Sequence, residues 1–204
     1  MAVKVARNIA KIISNVLHPY VVLSLAVAAV AYQGSPSYWV WLKWTVVTLA
    51  SAYAFPLIYI RAKVYVIART TGSQVNLRSL FREQPNEMAI IACIFGIPSA
   101  TIIYFLDYPP TLIAALVGIA ATTLLVALIN RVYRASFHLA LVTSMVVPLV
   151  ILFGLPLLAV ISIILLLGAS RYYLGQHTPL QLTTGLLLGM TVTAVVFQCF
   201  GLLK

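Results

Sequence analysis

Long apolar runs separated by short polar ones organise the chain. They cover about 16–33, 38–60, 88–106, 111–130, 137–153, 155–170 and 179–203. Most approach the roughly 20 residues a helix needs to cross ~30 Å of hydrocarbon. Strand-like alternation of period two is absent, which argues against a membrane barrel. The breaks "QGSPS" at 33–37, "DYPP" at 107–110, "GLP" at 154–156 and "GQHTP" at 175–179 combine Gly with Pro, residues that stop helices and open turns. The pattern predicts an all-α integral membrane protein, a polytopic bundle of about seven helices in one transmembrane domain over 1–204. The count becomes six if 137–153 and 155–170, divided only at Gly154 and Pro156, form one kinked helix.

Composition agrees with that solvent. Of 204 residues, 63% are hydrophobic and 8% charged, and the mean hydropathy is +1.07. The N-terminal stretch carries Lys4, Arg7 and Lys11 ahead of a full-length span without a small-residue cleavage pattern, so it is expected to remain as part of the protein. Cys93 and Cys199 sit in apolar runs without thiol or histidine neighbours at metal-ligand spacing and read as packing residues.

Charge then orients the predicted spans. With seven helices, Lys4, Arg7, Lys11, Arg61, Lys63, Arg69, Arg78, Arg82, Arg131, Arg134 and Arg171 fall on one membrane face, eleven of the thirteen basic residues. Lys43 and Lys204 take the other. By the positive-inside rule the first face is cytoplasmic, with the N-terminus and the loop 61–87 there and the C-terminus opposite. The net charge of +10 then reflects orientation, attraction to anionic membrane lipids and an anionic substrate. No basic run interleaved with aromatics supports a nucleic-acid partner.

The chain has three acids, Glu83, Glu87 and Asp107, too few for the carboxylate clusters that hold magnesium and diphosphate. Histidine and arginine remain as candidate chemistry. Under the predicted topology "NRVYRASFHLALV" at 130–142 and "ASRYYLGQHTPLQLTTGLLLG" at 169–189 bring Ser136, His138, Arg171 and His177 to the same face. One neutral imidazole can attack phosphorus while a second, protonated, supplies the leaving oxygen with a proton. Arginine forks match phosphate oxygens.

Ser136-Phe137-His138, and Ser170-Arg171 followed after five residues by His177, resemble the second and third motifs of the type 2 phosphatidic acid phosphatase superfamily of membrane lipid phosphatases. The likeness spans roughly the C-terminal 75 residues, with the motifs inside 130–181. It implies His177 as a nucleophile forming phosphohistidine, His138 as leaving-group acid, and Arg171 with Ser136 as phosphate ligands, without metal or cofactor. The sequence departs from the family pattern at Ala135 and Phe137, where Pro and Gly are usual, and at Gln181, where the third motif has Asp. Gln181 can orient His177 through its carbonyl oxygen; it also completes a capping box with Thr178 and Pro179. The family's first motif is absent in its usual form. Arg78 with Arg82, four apart and followed by Pro85, is the favoured substitute, Lys63 with Arg69 the other. Arg134 is either a further phosphate ligand or an interfacial anchor.

The function expected from these residues is hydrolysis of a lipid phosphate or isoprenyl diphosphate at the cytoplasmic face of the cell membrane. A non-catalytic relative binding anionic lipid is the alternative, and a lipid transporter a third. His18, before Pro19, reads as a helix-terminal residue rather than a ligand. Gly185 and Gly189, four apart on one helix, predict close helix contact.

Overall fold

The computed structural model describes residues 2–71, 87, 90–91, 93–94, 99, 101, 104–105, 109–154 and 156–203. Among these, the secondary structure is helical: α1 Ala2–Val16, α2 Pro19–Gln33, α3 Tyr38–Thr71, α4 Pro110–Ile129, α5 Phe137–Phe153, α6 Leu157–Tyr173 and α7 Pro179–Cys199. Only Leu17 and His18 part α1 from α2, so the seven segments form a six-helix bundle. Four stretches, Lys4–Gln33, Tyr38–Thr70, Pro110–Ile129 and Pro179–Cys199, are long and apolar enough to cross a membrane. The chain has the architecture of a polytopic membrane protein.

Expected boundaries and observed ones agree where Gly or Pro decides them. Residues 137–153 and 155–170 are indeed separate: Gly154 sits at φ 59°, ψ 31°, and its N–H closes α5 on the Val150 carbonyl at 3.0 Å. That left-handed geometry favours glycine and ends the helix. The expected span at 88–106 falls largely outside the described residues. Two expectations fail. The segment 61–71, read as the start of a polar loop, continues α3 to Thr71. Its charges end the apolar run, but nothing in it breaks a helix. Both cysteine thiols are exposed on helix surfaces rather than packed.

Helix α1 was not anticipated as an element of its own. It has three faces: Ala10 and Ser14 are buried, Val5, Ile9, Ile12 and Val16 form an exposed apolar stripe, and Lys4, Arg7 and Lys11 form an exposed cationic one. An apolar face beside a basic one is the pattern of a helix lying at a membrane interface. Its inner face packs on α6.

Helices α4, α5 and α7 pack on one another and α2 packs on α5, with α3 lying against α2. Polar side chains fasten the outer pair: Ser24 Oγ meets Tyr53 Oη at 2.7 Å, Tyr53 donates to the Tyr20 carbonyl at 2.8 Å, and Trp41 Nε1 donates to the Ala28 carbonyl at 2.8 Å. Such interhelical bonds hold helices together where lipid offers no hydrophobic drive.

The α5–α7 contact is the closest in the bundle core, and glycine creates it. A Cβ on Gly185 would stand 2.5 Å from the Ser136 carbonyl oxygen, and one on Gly189 would fall within 3.0 Å of the Ala140 carbonyl oxygen. The backbones touch directly, and the Ser136 N–H donates to the Gln181 carbonyl at 2.9 Å. Gly168 on α6 differs, since its nearest neighbour would be a Leu139 methyl at 4.0 Å. Gly189→Ala and Gly185→Ala are therefore expected to destabilise by about 1–3 kcal/mol through overpacking. Gly168→Ala is expected to hold or raise stability, because alanine is the better helix former by about 1 kcal/mol. Thermal unfolding of the three variants in detergent checks this ordering.

Candidate active site

Four chain segments end at the same end of the bundle: the α1–α2 break, the start of α5, the end of α6 and the start of α7. The chemistry-bearing side chains gather there. His138 occupies the first turn of α5 behind its N-cap, Ser136, a fully buried residue whose Oγ accepts the Leu139 N–H at 3.4 Å. The preceding turn is shaped by Asn130 Oδ1, which accepts the Ala135 N–H at 2.7 Å. Because Ser136 is also bonded through its N–H to Gln181, the start of α5 and the start of α7 move as one piece.

Arg171 projects from the last turn of α6 and is 7% exposed. One guanidinium nitrogen, Nη1, donates to Gln176 Oε1 and reaches Ser14 Oγ at 3.4 Å. Its Nε is buried without a hydrogen-bond partner. Both partners are neutral, and among the described residues the ion pair is a different one, Lys63 with Glu87. A buried cation that has no acid partner among the described residues and keeps an open donor has the chemistry to take up an anion. Its charge acts on all three histidines of the chain, His18, His138 and His177.

His177 lies in the connection between α6 and α7, and its tautomer follows from the cap of α7. Thr178 is the N-cap, and its hydroxyl accepts the Gln181 N–H at 3.4 Å. Gln181 Oε1 returns to accept the Thr178 N–H at 3.1 Å. A backbone N–H can only donate, so the amide oxygen, not the nitrogen, faces this side. The same oxygen stands 3.2 Å from His177 Nδ1. Nδ1 must then carry the proton, which leaves the lone pair on Nε2. Capping and orienting, both expected of Gln181, meet in one oxygen. Burial holds His177 below the ordinary imidazole pKa, the Gln181 bond works against that, and the Arg171 charge adds to it.

Ser136, His138, Arg171, His177 and Gln181 are thus brought together. Arg134 is not drawn in, being exposed in the turn ahead of Ser136. Arg78 and Arg82, with Pro85, lie outside the described residues. Lys63 is committed to Glu87, which is 6% exposed and also accepts Tyr59 Oη at 2.7 Å. Arg69 donates to Tyr65 Oη at 3.1 Å on the outside of α3. Neither reads as a phosphate ligand. Ser14, at the same end of the bundle, escaped sequence reading; His18, read from the sequence as helix-terminal, is the N-cap of α2. The His18 ring meets His138 edge-on at 5.2 Å and 89°; the one local signal was its place before Pro19, which favours a helix break. Among the described residues no group of three histidine, cysteine or acidic side chains is arranged to hold a metal ion. Compared with protein-family models, curated proteins and solved structures, the chain has no match.

Proposed function

We propose that the protein is a lipid phosphate phosphatase working through a phosphohistidine, with its site at the cytoplasmic end of the bundle in the cell membrane. The observation that carries this reading is the contact chain from the Thr178 N–H through Gln181 Oε1 to His177 Nδ1, which holds a histidine with a free Nε2 lone pair at the same end of the bundle as a buried arginine that has no acid partner among the described residues. The resemblance of Ser136–His138 and Ser170–His177 to the type 2 phosphatidic acid phosphatase motifs supports the same assignment. The orientation rests on the distribution of basic residues.

The phosphate of a lipid monophosphate or isoprenyl diphosphate meets Arg171, the Ser136 hydroxyl and the open first turn of α5, where a helix N-terminus favours an anion. Its negative charge supplies what the cationic cluster lacks and draws a proton onto His138. His177 Nε2 then attacks phosphorus as the ester P–O bond breaks, and His138 gives its proton to the departing oxygen. Water attacks the phosphohistidine in the second step, losing a proton to His138, and inorganic phosphate leaves with His177 restored. Gln181 keeps the ring in register but carries no charge to balance the imidazolium, so the intrinsic rate is lower than a carboxylate would give. The same feature favours a second reading, a relative that binds anionic lipid phosphate without hydrolysing it.

Phosphate release from a panel of lipid phosphates by purified protein in mixed micelles separates the two. His177→Ala is expected to reduce release by at least about 10³-fold, and Arg171→Lys to lower kcat/KM by about 10–100-fold through loss of the planar fork. Absence of release by the unaltered protein, with lipid phosphate still bound, establishes the binder.

The pH dependence has a definite sign. The reactive form of His177 is the neutral one, and a pKa held below 6.5 keeps it neutral under mild acid. The acidic limb of kcat/KM is expected below pH 6.5. Gln181→Glu retains the reach of the capping side chain and adds a charge. It is expected to raise kcat by about tenfold or more, a part of the ~10⁴ that separates Asp from Asn in a hydrolase triad, and to move the acidic limb upward. A pH–rate profile of both forms tests this.

A further inference from the structure

His18 is the one histidine the mechanism does not use, and the arm that carries it is fastened to the site at two points. Ser14, buried in α1, accepts from Arg171 Nη1 at 3.4 Å. One turn later the His18 ring stands edge-on to His138 at 5.2 Å and stacks on Tyr20 at 5.2 Å and 23°. The sequence favours the break at this ring, since a residue before proline is biased out of the helical region. His18 lies at φ −65°, ψ 138°, and becomes the N-cap of α2.

The cap determines where its proton resides. Nδ1 of His18 accepts the Tyr20 N–H at 3.4 Å, and an imidazole nitrogen that accepts an amide proton holds none of its own. The neutral ring therefore carries its hydrogen on Nε2. His177 has the opposite tautomer. The two rings are complementary: the first offers a donor, the second a lone pair. Capping alone does not account for histidine here, because Ser, Asn or Asp caps a helix better with a smaller side chain. The ring's other edge is the feature those residues lack.

We propose that His18 donates its Nε2–H to a non-bridging oxygen of a phosphate group bound at Arg171, so that the N-terminal arm forms one wall of the oxyanion site. The inference rests on the reading of that site as one that receives phosphate, and it adds a binding residue from outside the two C-terminal motifs. Arg171 stands between the walls, tied through Nη1 to Ser14 on the arm and to Gln176 before His177. Its unpartnered Nε is the remaining donor.

With three histidines in the chain, ring nitrogens labelled with ¹⁵N give six resonances in all, and lipid nanodiscs keep the protein in a bilayer. Inorganic phosphate is the probe. Titration is expected to move the protonated Nε2 signal of His18 together with signals of His138 and His177. His18→Phe is expected to weaken phosphate binding by about tenfold, the worth of one hydrogen bond to a charged acceptor, and His18→Gln, whose amide can donate, to restore most of it. If His138 and His177 respond while His18 stays fixed, the inference is overturned and the phosphate site stands. If no ring responds, the phosphate site itself falls and the inference with it. The titration uses the unaltered protein, so it decides the matter even where the Phe variant does not fold.

Discussion

Direct backbone contact between α5 and α7 is the constraint on which the rest of this molecule depends. Gly185 and Gly189 leave no side chain between the helices, and the Ser136 N–H bonded to the Gln181 carbonyl at 2.9 Å closes the gap at the functional end. Of the two residues that this bond joins, Ser136 is the N-cap of α5 and Gln181 is the partner of Thr178 in the capping box of α7. The position of His138 is set by the start of α5 and that of His177 by the connection into α7, so the separation of these two helices sets how the two imidazoles stand to one another. Packing in lipid gains little from the hydrophobic effect, which makes such close, hydrogen-bonded approach the available means of precision.

Electrostatics pulls the opposite way. Burying Arg171 with an unfilled Nε and neutral partners costs stability, and three imidazoles around it do nothing to reduce the cost. Such an arrangement persists because the glycine contact and the caps over-determine the geometry. The pair of Lys63, on α3, with Glu87 offers a contrast inside the same molecule: there a buried acid finds a cation at one oxygen and a tyrosine hydroxyl at the other.

Local rules made much of this legible from the chain alone. Gly154 and Pro156 marked the turn between α5 and α6, Thr178-Pro179-Leu180-Gln181 announced the cap of α7, and the four-residue spacing of Gly185 and Gly189 pointed to close packing. Ser136, His138, Arg171, His177 and Gln181 were readable as a group because they lie within two short motifs. Ser14 was not, since it meets Arg171 across 157 positions of sequence, and no periodicity encodes that; His18 was readable as a helix end but not as a neighbour of the His138 ring. The extent of α3 was missed for a different reason: polar residues mark where an apolar span stops but not where hydrogen bonding along a helix stops. The helical character of Ala2–Val16 was hidden because its apolar and cationic stripes blend into an unremarkable average along the sequence.

The two helices nearest the chemistry are also short. At 17 residues each, α5 and α6 extend about 25 Å, roughly 5 Å less than the hydrocarbon of an ordinary bilayer. A surrounding leaflet must thin or dip to meet them, at a fraction of a kcal/mol for each ångström. Such a depression would bring headgroups closer to the end of the bundle at which the histidines gather. By the same mechanics, the protein would be at ease in thin membranes and strained in thick, sterol-rich ones.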